Sequence, residues 1–202
     1  MANTTKGQAT KQHILDTAKS LFHEKGYDQT SIKNIIEASY IAKGTLYLYF
    51  EDKLDIMHHL VEAFVGHFKS VLQEALDELD NTSSSSDYIL TKAIDDIFNV
   101  CIAYKCCFVF FHETQTAVLL KEKDYLNQFN QMNRAGIQSM IQVGIDKGDF
   151  RRLNTELYAD IIYEMIHSFI EKTILDNKDY AYIILAKKEL SDSLIRILKK
   201  RD

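Results

Sequence analysis

Lys43-Gly44-Thr45-Leu46-Tyr47-Leu48-Tyr49-Phe50-Glu51-Asp52-Lys53 gathers two lysines, a threonine and two tyrosines around one glycine, within about three helical turns. At about 100° per residue, Leu46 and Phe50 share one side of the helix, with Tyr49 beside them, and so face a small core. The opposite side presents Gly44 and Leu48, bordered by Thr45 and Tyr47, with Lys43 near the start. Ammonium and hydroxyl groups of Lys43, Thr45, Tyr47 and Tyr49 suit phosphate oxygens, and an outward Leu48 suits a thymine methyl. Gly44, lacking a Cβ, lets the helix sink toward a groove. Lys53 sits one turn into the next helix, within reach of a phosphate. The partner these residue types point to is double-stranded DNA. The bland reading of the same spacing is that the tyrosines are core aromatics and the lysines a solvated face.

The residues upstream complete a three-helix outline. Ile14, Leu15, Ala18, Leu21 and Phe22 recur at helical spacing, which predicts a helix over 10–25 with Thr10 as N-cap and Gly26 as the stop. A short helix follows Thr30-Ser31, with Ile32, Ile35 and Ile36 on its apolar face, and ends near Ser39. Thr30, Ser31 and the amides after them form a second candidate phosphate site. A tight connection, Tyr40-Ile41-Ala42, leads to the third helix over 43–50. Two short helices joined this closely are the outline of a helix-turn-helix.

With Gly26-Tyr27-Asp28-Gln29-Thr30-Ser31-Ile32 ahead of it, the stretch from Lys43 to Lys53 resembles the N-terminal signature of the TetR family of bacterial transcriptional regulators, over about residues 10–56. The resemblance implies that Thr45, Tyr47 and Lys53 fall on DNA-contacting positions and Leu48 on a variable position that helps choose sequence. Gly144-Ile145-Asp146-Lys147-Gly148-Asp149-Phe150-Arg151 resembles the turn before this family's two dimerisation helices. Two departures stand out. Where the family has Ala-Gly-Val-Ser, this chain reads Ser39-Tyr40-Ile41-Ala42. Tyr40 replaces the turn glycine, which is costly if φ is positive, and Ala42 replaces a good N-cap. Either the turn is remodelled or Tyr40 is an extra contact beside the DNA.

Composition agrees with an all-α fold. The 202 residues contain no proline and only seven glycines, which suits long uninterrupted helices and argues against turn-rich β architectures. The apolar periodicity predicts a fourth helix starting at Glu51-Asp52, a polar break at 81–87, and further helices at about 88–104, 106–120, 123–147, 155–176 and 180–200. The organisation expected is a helix-turn-helix DNA-binding domain at 1–56 and a larger helical effector-binding and dimerisation domain at 57–202. No run of 18 apolar residues occurs, so no membrane span is expected, and the first ten residues lack a secretory h-region. The expected location is cytoplasmic. Net charge is −5. Residues 1–56 balance seven lysines against seven acids, which is compatible with DNA binding only if the lysines gather on one face.

In the C-terminal part, Ile161/Ile162, Met165/Ile166, Phe169/Ile170 and Ile174 form one apolar stripe, and Ile183/Ile184, Leu190, Leu194 and Ile197/Leu198 another. Paired with symmetry mates they make a homodimer interface; alternatively they pack within the chain. Phe98, Cys101, Tyr104, Phe108, Phe111 and His112, with Tyr125, Phe129, Met132, Tyr163 and His167, are candidates to line an apolar pocket for a small-molecule effector, or simply to fill a core. Glu113 and Glu164 favour a cationic ligand if they point inward. Cys101, Cys106 and Cys107 admit a redox or metal reading, but without a C-x2-C spacing buried free thiols are the commoner outcome. No nucleophile motif, phosphate loop or His-Glu metal pattern is present, so neither enzyme, metal nor cofactor is expected. The chain therefore reads as a ligand-responsive regulator, a repressor that binds a palindromic operator as a homodimer and is released by its effector. The alternative is a helical small-molecule or lipid-binding module that has lost DNA binding.

Overall fold

The structure, a computed structural model, describes residues 2–81, 84–112 and 125–199. Among these residues it is helical without strands: α1 (Ala2–Lys25), α2 (Ile32–Ala38), α3 (Lys43–Tyr47), α4 (Lys53–Asn81), α5 (Ser86–Ala103), α6 (Lys105–His112), α7 (Tyr125–Asp146), α8 (Thr155–Leu175) and α9 (Tyr180–Leu198). No described helix is long and apolar enough to cross a membrane. The part of the predicted 106–120 helix beyond His112, Glu113 included, lies outside the described residues, as does the side chain of Tyr125.

Two boundaries differ from expectation. The first helix begins near Ala2 rather than at Thr10. Thr10 caps nothing; its hydroxyl donates back to the Lys6 carbonyl at 3.0 Å, the bond a threonine inside a helix makes. The third helix stops at Tyr47, with Leu48 as C-cap, and Phe50 closes the turn by donating to the Leu46 carbonyl at 3.1 Å.

The N-terminal helices close over Ile14, Ala18, Phe22, Ile35, Leu46 and Phe50, and that core continues without a break into Ile56, Met57 and Leu60 of α4. At the entry to α4 the Asp52 carboxylate accepts from the Asp55 amide at 2.8 Å and supplies the missing cap. The long helix then runs its buried face, Phe64, Phe68, Leu72, Ala75 and Leu79, against α5 and α7. Gly136 on α7 permits that approach: a Cβ there would lie 2.9 Å from Leu72 Cδ1. Gly148 (φ +83°) and Asn177 (φ +50°) end α7 and α8 in the left-handed region.

The two C-terminal stripes divide. Ile162, Ile166, Ile170, Ile174, Leu190, Leu194 and Leu198 are buried within the chain, so those positions belong to its own core. Each i, i+1 pair spans about 100° of the helix, so one member faces in and the other out. The outward remainder, Leu157, Ile161 and Leu175 on α8 with Tyr180, Ile184 and Leu185 on α9, is exposed apolar surface.

Candidate nucleic-acid interface and internal cavity

The turn that aims α3 is a Schellman motif with a tyrosine in the position usually held by glycine. The Tyr40 amide donates to the Glu37 carbonyl at 3.3 Å and the Ile41 amide to the Ile36 carbonyl at 3.4 Å, the two bonds that define the motif at the end of α2. Tyr40 sits at φ +53° and is 94% exposed. The turn is therefore not remodelled; it keeps its left-handed residue and projects a phenol into solvent. The Ser39 hydroxyl, buried, donates to the Ile35 carbonyl at 2.6 Å, and His13 Nε2 lies 3.1 Å from the Ser39 carbonyl oxygen, which pins the turn to α1. Ala42 occupies the N-cap of α3 in extended conformation and makes no side-chain cap bond.

Beyond this turn α3 shows the two faces its sequence implies. Leu46 and Phe50 are buried, and Tyr49 is half-buried against the core. Lys43 and Gly44 are exposed, Thr45 is half-buried, Tyr47 is 48% exposed and Leu48 is 79% exposed. A Cβ on Gly44 would meet no atom of the protein within 4 Å. No packing within the chain requires glycine at that position.

Two candidates behave differently from expectation. Thr30 is only 1% exposed, and its hydroxyl donates to the Gly26 carbonyl at 2.8 Å, so the side chain ties the α1–α2 turn together and cannot reach a phosphate. Ser31 is exposed but serves as the N-cap of α2, accepting from the Asn34 amide at 3.1 Å in a capping box. The lysines of residues 1–56 do not form one cluster. Lys11 lies over the Phe50 ring at 5.4 Å, Lys19 over Tyr104 at 4.6 Å and Lys53 over Tyr27 at 4.1 Å, while Lys33 pairs with Glu37. Lys53 also donates to the Tyr27 carbonyl at 2.7 Å, and burial holds its ammonium below the ordinary lysine value.

Inside the C-terminal part, Cys101, Phe108, Phe129, Tyr163 and His167 meet around an apolar cavity of about 40 Å³, room for a few water molecules. Phe111 stacks on Phe129 and His112 on Phe108 at the margin. Three candidates lie elsewhere. Phe98, one position past Ile97, is turned about 100° toward α9, where Lys187 covers its ring. Tyr104, at the break between α5 and α6, points to His67 and Lys19. Met132 is half-buried and off the cavity, because it is its neighbour Asn133 that shares a face with Phe129 and Ile137. The walls that sequence reading missed include Phe64, Phe68, Ile97 and Asn133. Their signal was the i, i+4 spacing of apolar residues on α4, α5 and α7, which looks the same for a filled core. Glu164 faces out, bonded to Arg134 at 2.6 Å. All three thiols are buried, Cys106 and Cys107 with their sulfurs 4.0 Å apart, and the described residues hold no group of side chains suited to a metal ion.

Residues 14–60, which contain the whole helix-turn-helix, match the model of the family described as bacterial regulatory proteins, tetR family. These residues form a helix-turn-helix of the TetR type. Two curated relatives extend the likeness beyond that segment. One is the HTH-type transcriptional regulator YfiR of Bacillus subtilis, 26% identical over 71% of this chain and 73% of its own. The other is the HTH-type transcriptional repressor KstR2 of Rhodococcus jostii, 23% identical over 85% of this chain and 80% of its own. Among solved structures, the regulator FadR of Bacillus subtilis in complex with stearoyl-CoA shares the fold, with a TM-score of 0.64 at 17% identity, over 91% of this chain and 97% of that one. The curated relatives this chain matches are helix-turn-helix transcriptional regulators by name.

Proposed function

We propose that this protein is a transcriptional repressor that binds a palindromic operator as a homodimer in the cytoplasm and is released by a small apolar effector. Residues 1–56 bind DNA in this reading, and residues 57–202 bind the effector and the second subunit. The observation that carries it is Leu48: a leucine 79% exposed at the end of a helix whose Leu46 is buried, on the same side as a glycine no packing requires. That surface suits a helix laid in the major groove, with Leu48 against thymine methyls, Lys43, Thr45 and Tyr47 on the phosphates, and Tyr40 extending the same edge.

The outward apolar residues of α8 and α9 supply a surface for a symmetry mate. The two recognition helices would then stand about 34–36 Å apart. Effector binding reaches them by two connections. One is α4, which walls the cavity with Phe64 and Phe68 and begins at Lys53. The other is α6, which carries Phe108 at the cavity and Phe110 against Tyr27, ring centres 5.1 Å apart. An effector that parts these helices favours a conformation whose spacing no longer fits the operator. The complex of FadR with stearoyl-CoA is consistent with an effector that carries an apolar chain in such a fold.

The test is enrichment of random duplexes on the purified protein, followed by mobility shifts on the selected sequence. The expected result is a palindrome bound by a dimer, and affinity that falls about tenfold or more in Leu48→Ala or Tyr47→Ala, on the scale of a lost base or backbone contact. Salt dependence should be shallow for a helix-turn-helix, since few ammonium groups stand free on this face. If no duplex is enriched, the DNA reading falls and the binding-module reading replaces it.

A further inference from the structure

Asn133 stands in the middle of the apolar stripe of α7, one turn from Phe129 on one side and Ile137 on the other, at the wall of the internal cavity. The residue is 3% exposed, and among the described residues its Oδ1 has no hydrogen-bond partner. A buried carbonyl oxygen without a donor has lost its hydration and received nothing in exchange, so it is the one place where a bound molecule gains a strong polar interaction.

The other polar groups nearby do not compete for it. The Tyr163 hydroxyl donates to Asn130 Oδ1 at 2.6 Å, and burial keeps its proton on, to about 12. Burial likewise keeps the Cys101 thiol protonated. His167 lies between the rings of Phe108 and Tyr163, at 6.0 and 5.7 Å. Among the described residues, no Asp, Glu, Lys or Arg lines the cavity. The neighbouring Arg134 is engaged over the Tyr163 ring, 4.1 Å from its centre, and pairs with Asp160 at 2.8 Å and Glu164 at 2.6 Å. Among the described lining residues, no carboxylate, ammonium or guanidinium stands ready to neutralise a buried charged ligand.

We infer that the effector is an uncharged molecule with an apolar body and a hydrogen-bond donor, an alcohol or a phenol in class, and that Asn133 Oδ1 receives that donor. The inference rests on the cavity being the effector site and adds the chemistry that the site selects. With about 40 Å³ free, the rings of Phe64, Phe68 and Phe129 must part for any such body, and a single aromatic ring with a short tail asks least of them.

Three probes of matched shape test it by isothermal titration: 4-propylphenol, propylbenzene and 4-propylbenzoate, each against the full chain and Asn133→Leu. The leucine removes the orphan oxygen at similar volume, so this variant should melt no lower than the parent. The expected result is that 4-propylbenzoate binds weakest to the parent. The substitution should also shift the affinity ratio of 4-propylphenol to propylbenzene at least tenfold toward propylbenzene, a comparison in which general changes to the cavity cancel. An unchanged ratio, or benzoate as the tightest probe, overturns the role of Asn133 and leaves the cavity standing as an effector site. Failure of all three probes to bind overturns both.

Discussion

The Lys53 ammonium donates to the backbone carbonyl of Tyr27 at 2.7 Å while lying 4.1 Å from the centre of the same residue's ring. One lysine thereby ties the first turn of α4 to the loop between α1 and α2, and Tyr27 in turn packs on Phe110 of α6. Lys53 is thus part of the scaffold even without DNA. Lys53→Ala should lower unfolding free energy by about 2–4 kcal/mol, the sum expected of one charge-assisted hydrogen bond and one exposed cation–π contact. A urea titration that finds the variant as stable as the parent would remove this scaffold role.

Tyr40 carries a backbone conformation that L-residues adopt at a cost of about 1–2 kcal/mol, and its exposed side chain makes no compensating burial. Tyr40→Gly should stabilise the protein by up to about 1 kcal/mol, the strain relieved less the extra freedom glycine has when unfolded. Ala42→Ser should add about 1 kcal/mol by capping α3. If Tyr40 also touches DNA, as the proposed interface has it, Tyr40→Gly gains stability and loses operator affinity together. Thermal melts and mobility shifts on the same preparations check both directions.

His112 is half-buried beside Phe108, and burial holds its imidazole below the ordinary histidine value, with Glu171 opposing and His167 adding to the effect. The folded chain therefore favours the neutral ring, and the unfolded chain takes up a proton first as pH falls. The stability this supplies is complete above about pH 6.5 and is lost below it. The urea midpoint should drop between about pH 7.5 and about pH 5.5, and His112→Gln should drop less than the parent. Equal slopes would show that the ring's protonation is not coupled to folding.

Cys101, Cys106 and Cys107 are buried, and burial raises the Cys101 thiol well above its ordinary value. For Cys107, the adjoining Cys106 sulfur and burial act in the same direction. The native protein should react with Ellman's reagent far more slowly than the same protein in guanidinium, where all three thiols titrate. Rapid modification of the native chain would restore the redox reading that the sequence leaves open.

The order and type of the helices could be read from the chain because they depend on local facts. A stripe at 3.6-residue spacing, a cap such as Ser31, and left-handed stops such as Gly148 and Asn177 are each written within a few residues. The two faces of α3 belong to the same class, since geometry alone sets Leu46 and Phe50 opposite Gly44 and Leu48. Burial across distant segments could not be read that way. Thr30 looked like a phosphate ligand until its hydroxyl was found on the Gly26 carbonyl. Whether the lysines gather on one face was equally illegible, and Lys53, Lys19 and Lys11 each lie over an aromatic ring from another part of the chain. Asn133 was one polar residue among many until packing sealed it behind apolar walls with its oxygen unpaired. By itself the sequence determined which side of each helix is apolar. Only the tertiary structure decided which apolar sides meet, because a side chain's partners come from helices tens of residues away, and the space left between them is set by how well they fit.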